Sequence, residues 1–434
     1  MNKENWKYLS IGDCATVVGG GTPSTKNPEY WDGDIPWISP KDLSNNTNKY
    51  VSRGERFITK KGLENSSAKI LPENSLLFSS RAPIGYLAIN TQPMATNQGF
   101  KSLILRDEFD VEFFYYLFKQ KTEYIKNFSS GSTFQEISGS EVKNFKFLIP
   151  PYKEQKQISK ILSKLDKKIE LNQKMNATLE EITKTLFKSW FIDFDPVRAK
   201  AEGRPTGLSK EISDLFPDSF EDSELGEIPK GWEIKKIKDL GKVICGKTPP
   251  TKDKENYGDG FKFITIPDMH NQVFVLDSSK NITKKGAATL EGKLLPSKTV
   301  CVSCIATPGL TVIIDEPSYT NQQINSIIPN ETFLSYFLFL NFRLLGSKIS
   351  IYGGGGSVFE NLSKSKFENI LVKIPDQKVL KSFDEFLTPV FDKIKVNVKE
   401  NKLLENILDT LLPKLISGKL KISDAKTIVE NIKI

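Results

Sequence analysis

The sequence predicts an α+β protein of two pseudo-repeated globular domains separated by two long helices that form an antiparallel coiled coil. Three observations carry this prediction: the chain is written twice, each copy mixes short strands with one packed helix, and each copy runs out into a long apolar-seamed stretch.

The duplication is read by sliding the chain along itself. At a shift of 226, residues 6–42 lie over 232–268 with 12 identities in 37, among them Gly20/Gly246, Thr22/Thr248, Pro23/Pro249, Thr25/Thr251 and Lys26/Lys252. At a shift of 224, residues 58–98 overlay 282–322 with 16 identities in 41, where unrelated sequence gives roughly one in sixteen. A third block, at a shift of 225, aligns 131–138 with 356–363 and ends on Ile149-Pro150 and Ile374-Pro375. Two large repeats are too few for a solenoid, so they mean two similar globular domains doing one job twice.

Within each copy, alternating or β-branched runs broken by Gly, Pro and Asn read as strands: 75–80 and 86–90 in the first, 299–305 and 310–314 in the second. More continuous apolar runs at 111–119 and 333–342 read as one packed helix per domain. After Pro150 the chain from 153 to about 191 has no Pro or Gly, and Ile158, Ile161, Leu165, Ile169, Met175, Leu179, Ile182 and Leu186 recur every three or four residues. That is a helix roughly 58 Å long at ~1.5 Å per residue, with one seam that needs a partner along its length. The second copy supplies it through Phe383, Phe386, Val390, Ile394, Leu404, Ile407, Leu411 and Leu415, although Pro389 and Pro413 should kink or break that helix, and Gly418 should stop it. One seam position is polar in each copy, Asn172 and Asn397, near the helix midpoints. In an antiparallel pair the two could bond each other and fix the register at some cost in stability.

The expected organisation is a globular domain at 1–151, a helix at 152–191, a Pro-, Gly- and acid-rich connector at 192–230, a second domain at 231–375, a second helix at 376–418 and a tail at 419–434. A formal charge of +8 suits a polyanionic partner. The start is polar and the longest apolar run too short to span a bilayer, which points to the cytoplasm. Cys301 and Cys304 have metal-like spacing, but in a strand residues three apart face opposite ways, so they read as buried thiols. His270 is the only histidine, leaving no pair for a metal and little support for histidine acid–base chemistry. No cofactor and no metal are expected.

Two motif matches fail on context. Gly241-Lys-Val-Ile-Cys-Gly246-Lys247-Thr248 fits the phosphate-loop pattern, yet Pro249-Pro250 follow where a helix must start, and the first copy has neither the first glycine nor the lysine. What the copies share there is Gly-x-Thr-Pro, a turn. Pro217-Asp218 with Glu233-Ile-Lys235 resembles a nuclease triad, but its first half lies in the connector. No Asn-Pro-Pro-Tyr or Asp-Pro-Pro-Tyr run of an amino-methyltransferase occurs. The chain reads as one without its own catalytic centre.

Three segments, Leu186-Phe-Lys-Ser-Trp-Phe-Ile-Asp-Phe-Asp-Pro-Val-Arg198, Leu215-Phe-Pro-Asp-Ser-Phe-Glu-Asp-Ser-Glu-Leu-Gly-Glu-Ile-Pro-Lys-Gly-Trp232 and Leu411-Leu-Pro-Lys-Leu-Ile-Ser-Gly-Lys-Leu420, together with the repeated plan, resemble the specificity subunits of Type I restriction-modification systems over almost the whole chain. The resemblance implies two target-recognition domains, each reading half of a split site in double-stranded DNA. It also implies helices that space the domains and dock two methyltransferase subunits, through which restriction subunits join. Because the copies differ in detail, the half-sites should differ in sequence. The candidate contacts are Thr22, Ser24, Thr25, Lys26, Arg81 and Lys101 in the first copy, and Thr248, Thr251, Lys252 and Lys284 in the second. Features common to both, such as Asn97-Gln98 and Asn321-Gln322, read as structural, so the base-reading residues should lie outside the matched blocks. The competing readings are a coiled-coil adaptor between proteins and a nucleotide-dependent enzyme built on Lys247.

Overall fold

A computed structural model describes residues 5–44, 48–81, 83–129, 136–305, 307–351 and 362–432, with side chains to 346 in the fifth of these stretches. The repeat block at 131–138 and 356–363 falls largely outside them. The chain forms two compact units, Met1–Asn172 with Glu400–Ile434, and Gln173–Lys399. Each long helix is therefore shared between units, because each half packs on its own globular domain.

The first unit holds a five-stranded sheet in the spatial order Ala15–Gly19, Lys101–Leu105, Leu76–Phe78, Leu87–Asn90, Tyr50–Val51, and a three-stranded sheet in the order Arg56–Ile58, Trp31–Ile38, Ala95–Thr96. A separate ribbon pairs Lys7–Ser10 with Lys146–Ile149. The second unit repeats every piece: Gly241–Cys245, Ile324–Pro329, Val300–Ser303, Thr311–Ile314, Phe274–Val275 in one sheet, Asn281–Ile282, Tyr257–Ile264, Ser318–Thr320 in the other, and Glu233–Lys236 with Leu371–Ile374 as the ribbon. The expected strands are all present, trimmed by a residue or two at their ends.

One helix covers each large sheet. Val111–Lys126 starts at Asp110, whose carboxylate accepts from the Phe113 N–H at 2.9 Å, and buries Phe113, Phe114, Tyr116, Leu117 and Phe118. Its counterpart Leu334–Ile351 buries Tyr336, Phe337, Leu338, Phe339 and Phe342. At ~1.5–3 kcal/mol per fully buried apolar side chain, these two clusters are a main source of each domain's stability.

The long helices are Tyr152–Phe191 and Gln377–Ile416. The second runs unbroken through Pro389 and Pro413, against expectation. Burial of Phe383, Leu387, Phe391, Leu411, Leu412 and Leu415 offsets the lost backbone bonds. It ends where Gly418 takes a φ of 64° and returns its N–H to the Leu415 carbonyl at 3.0 Å. In the first unit Ile158, Leu162, Leu165 and Ile169 share a core with Leu404, Leu408, Leu411 and Leu415. In the second, partners fall from Asn397 to Phe383 as the first helix rises from Asn176 to Trp190, so the helices run antiparallel there.

The seam drifts from the expected positions. Ile182 and Phe386 are 46% and 49% exposed, while Thr183, Phe187 and Leu387 are buried instead. A stripe repeating every 3.6 residues, rather than 3.5, moves by one position over this length. The asparagines also pair differently from expectation. Asn172 donates to Asn401 Oδ1 at 2.9 Å and to Glu400 at 2.7 Å, whereas Asn397 donates to Asn176 Oδ1 at 2.7 Å. Each copy carries two asparagines four residues apart, Asn172/Asn176 and Asn397/Asn401, and the helix pairing staggers them into these pairs.

Neither flanking segment hangs free. In the second unit, Phe194, Val197, Phe216 and Ile228 of the connector pack with Trp190, Phe191 and Trp232. In the first, the end of the chain forms a helix, Ile422–Asn431, that buries Ala425 and Val429. No helix among the described residues is long and apolar enough to cross a membrane.

Candidate nucleic-acid interface

The shared Gly-x-Thr-Pro turn sits in the same way in both units, and glycine is what lets it. A Cβ on Gly20 would lie 1.9 Å from the Asn97 carbonyl oxygen, and one on Gly246 2.1 Å from that of Asn321. Each turn is thus seated directly on the Asn-Gln pair the copies share. The Thr22 hydroxyl donates to Gln98 Oε1, and Thr248 does the same to Gln322 at 2.6 Å. The asparagines complete the seat, since Asn97 and Asn321 each accept from the backbone N–H two residues on, at 2.8 and 3.1 Å. Asn97-Gln98 and Asn321-Gln322 therefore hold the turn.

Aromatic side chains fasten the turn from below. In the first unit the Trp37 indole N–H donates to the Gly21 carbonyl at 2.9 Å and that of Trp31 to the Ser24 carbonyl at 3.2 Å, the rings meeting edge to face at 5.2 Å. In the second, Tyr257 stands where Trp31 does and its hydroxyl donates to the Pro249 carbonyl at 2.9 Å. The side chains beyond the seat, Ser24, Thr25 and Lys26 in one unit and Thr251 and Lys252 in the other, point to solvent. In the second unit Thr248, Thr251, Tyr257, Lys280, Asn281 and Asn321 line an open groove of about 560 Å³.

Other expected contacts are placed differently. Arg81 and Lys101 both meet Glu136, at 3.3 and 3.1 Å, and Lys101 is largely buried, so these cations neutralise a carboxylate of their own domain. Lys284 opens the short helix Lys284–Ala288 and is exposed, but it does not line the groove. Two side chains at this surface were missed by sequence reasoning. Arg56 lies on the face of Trp31, its guanidinium carbon 3.3 Å from the ring centroid, and Lys280 lines the second unit's groove. Both fall in the gap between the first two matched blocks, which is where divergent readers were to be sought.

Neither motif match forms a site in three dimensions. The strand Gly241–Cys245 leads into the turn, then into the three-residue helix Lys254–Asn256, and the Gly246 and Lys247 amides donate to Ile324 and Thr320 carbonyls at 3.1 and 2.9 Å. Amides already bonded to backbone cannot cradle a phosphate. Glu233 and Lys235 pair with each other at 2.7 Å on the ribbon strand. Cys301 and Cys304 are buried, and burial pushes the Cys301 thiol up to about 12. Among the described residues no cluster of His, Cys, Asp and Glu could hold a metal ion.

One scaffold used twice, with a common turn and different side chains around it, defines a duplicated recognition protein. The chain belongs to the Type I restriction modification DNA specificity domain family, which matches it over residues 3–181 and again over 229–406. It is 37% identical over 429 residues to the MjaIX Type I restriction enzyme specificity subunit of Methanocaldococcus jannaschii, covering 97% of this chain and 95% of that one. It is 33% identical over 468 residues to the HindI specificity subunit of Haemophilus influenzae, covering 96% and 100%. The fold is shared with the crystal structure of a Type I restriction-modification S subunit from M. genitalium, with a TM-score of 0.57 at 17% identity over 96% of this chain and 97% of that chain.

Proposed function

We propose that this chain is the DNA-recognition subunit of a Type I restriction-modification complex, with recognition domains at 1–151 and 231–375 that each read one half of a split, asymmetric site. The observation that carries this reading is the twice-built turn: an identical seat of Gly, Thr, Asn and Gln presents the same exposed Thr-Lys pair, Thr25-Lys26 in one domain and Thr251-Lys252 in the other, while its surroundings differ, with Trp31 and Arg56 in the first and Tyr257 and Lys280 in the second. A common frame with different side chains beside it is what two different half-sites require. Catalysis falls to methyltransferase subunits, two in number, docked on the long helices, with restriction subunits joining through them. Exposed apolar residues on the helices suit such docking: Leu171 and Leu403 in the first unit, Ile182, Phe386 and Val396 in the second.

The test is reconstitution. The purified chain should neither methylate nor cleave DNA, and should confer methylation at one split site when cognate methyltransferase subunits and S-adenosylmethionine are added. Methyl transfer or strand cleavage by the rigorously pure chain would refute the reading, as would DNA binding without sequence selectivity in the assembled complex.

A further inference from the structure

Arg56 and Lys280 are equivalent by strand register. Arg56 is the Cα partner of Trp37, and the Lys280 carbonyl accepts from the N–H of Phe263, which stands where Trp37 does, at 3.1 Å. Their settings differ. Trp31 is 6% exposed and held by its bond to Ser24 and its edge contact with Trp37, so the face that Arg56 covers is a fixed platform beside the turn. Arg56 lies on that platform, exposed, with no ion pair among the described residues. In the second unit Tyr257 bears no stacked cation among the described residues, and Lys280 ends in a flexible ammonium.

A guanidinium whose central carbon lies 3.3 Å from an indole centroid is too close for an edge-on approach, so it stacks, and its in-plane N–H fork stays free and already restricted in rotation. That fork matches the O6 and N7 acceptors that guanine presents in the major groove, the commonest specific contact to a base. A phosphate contact would not need the fork to be oriented. We propose that Arg56, positioned by Trp31, reads a guanine in the half-site bound by the first unit, an inference that rests on the DNA-specificity function above. The same position in the second unit carries no oriented fork, which is one physical source of the asymmetry between half-sites.

The experiment assembles wild-type, Arg56→Gln, Arg56→Ala and Trp31→Phe chains with the cognate methyltransferase subunits and maps every methylated base in genomic DNA. Both Arg56 variants should lose a roughly tenfold to hundredfold preference for G at one position of one half-site. The other half-site and the gap should stay as they are. Trp31→Phe should weaken the same preference while keeping the base. Because Arg56 is exposed and a cation stacked at the surface contributes little to stability, its variants should stay folded and melt within a few degrees of the wild type. Unchanged half-sites with uniformly weaker methylation and a shallower salt dependence would make Arg56 a phosphate contact and overturn the proposal, as would a change in both half-sites. A wild-type complex that methylates no split site would overturn the functional reading itself, and this inference with it.

Discussion

Thr248 spends its hydroxyl inside the protein, on Gln322, although its place in a polar turn makes it look like a reader. The same holds for Thr22 with Gln98. A side chain bonded to its own domain has fewer atoms left for a base. Replacing Thr248 with Val should therefore loosen the turn by about 1 kcal/mol, the net worth of one hydrogen bond, without changing which bases are preferred. Urea unfolding and methylation mapping of the variant check both parts. A new half-site would show that Thr248 reads sequence directly.

The asparagine pairs belong to the scale of the helix. Asn176 and Asn397 are buried in the second unit, and Asn397 Oδ1 has no hydrogen-bond partner among the described residues, so the pair costs stability that a leucine pair would not. A polar pair in an apolar seam serves register, since sliding either helix buries both amides unbonded. Replacing Asn397 alone with Leu should cost about 1–3 kcal/mol by leaving Asn176 Oδ1 unpaired, while replacing both should cost less than the sum of the singles. Additive effects in a double-mutant cycle would dissolve the pair as an energetic unit.

The first unit adds an ionic fastening between its globular domain and its long helix. Lys49, nearly buried, meets Glu112 at 3.0 Å and Ser163 at 2.7 Å, and Tyr50 donates to Glu112 at 2.5 Å, tying domain to long helix. Burial pushes the Glu112 carboxyl up, but the bonds from Ser163 and Tyr50 and the Lys49 ammonium outweigh it and hold it below its ordinary value of 4.5. A carboxyl lowered on folding stabilises above its unfolded pKa, and that contribution is lost as pH falls through the folded value. Melting temperature should thus drop more steeply below about pH 4.5 in the wild type than in Glu112→Gln, where this slope is gone. Parallel curves for the two proteins would remove Glu112 from the acid response.

At the scale of the whole molecule, both long helices pass from one compact unit into the other, Tyr152–Phe191 at Asn172 and Gln377–Ile416 at Lys399. Under the proposed function their length spaces the two recognition domains. A heptad inserted into the first helix after Asn176 adds roughly 10 Å at ~1.5 Å per residue and preserves the apolar seam. With base pairs ~3.4 Å apart, the unread gap should widen by up to about three pairs while both half-sites persist. Methylation mapping decides, and altered half-sites across an unchanged gap would show that the helices do not measure the target.

The sequence by itself determined the duplication, the α+β domain, the long helices and the family, because repeats and apolar periodicity are written in residue order. It also located the turn, through the shared Gly, Thr and Pro at 20–23 and 246–249. What only the tertiary structure decided are the pairings between segments far apart in the chain. Arg81 and Lys101 are bound to Glu136, the asparagines pair in a stagger, Ile182 and Phe386 turn outward, and Pro389 and Pro413 are tolerated inside a buried helix. Arg56 carried no local signal, since an arginine in an unmatched stretch becomes a candidate reader only when a strand register brings it onto the face of a tryptophan 25 residues earlier. Local pattern fixes which elements form, and the energy of burying them against one another fixes which side chains remain free to act.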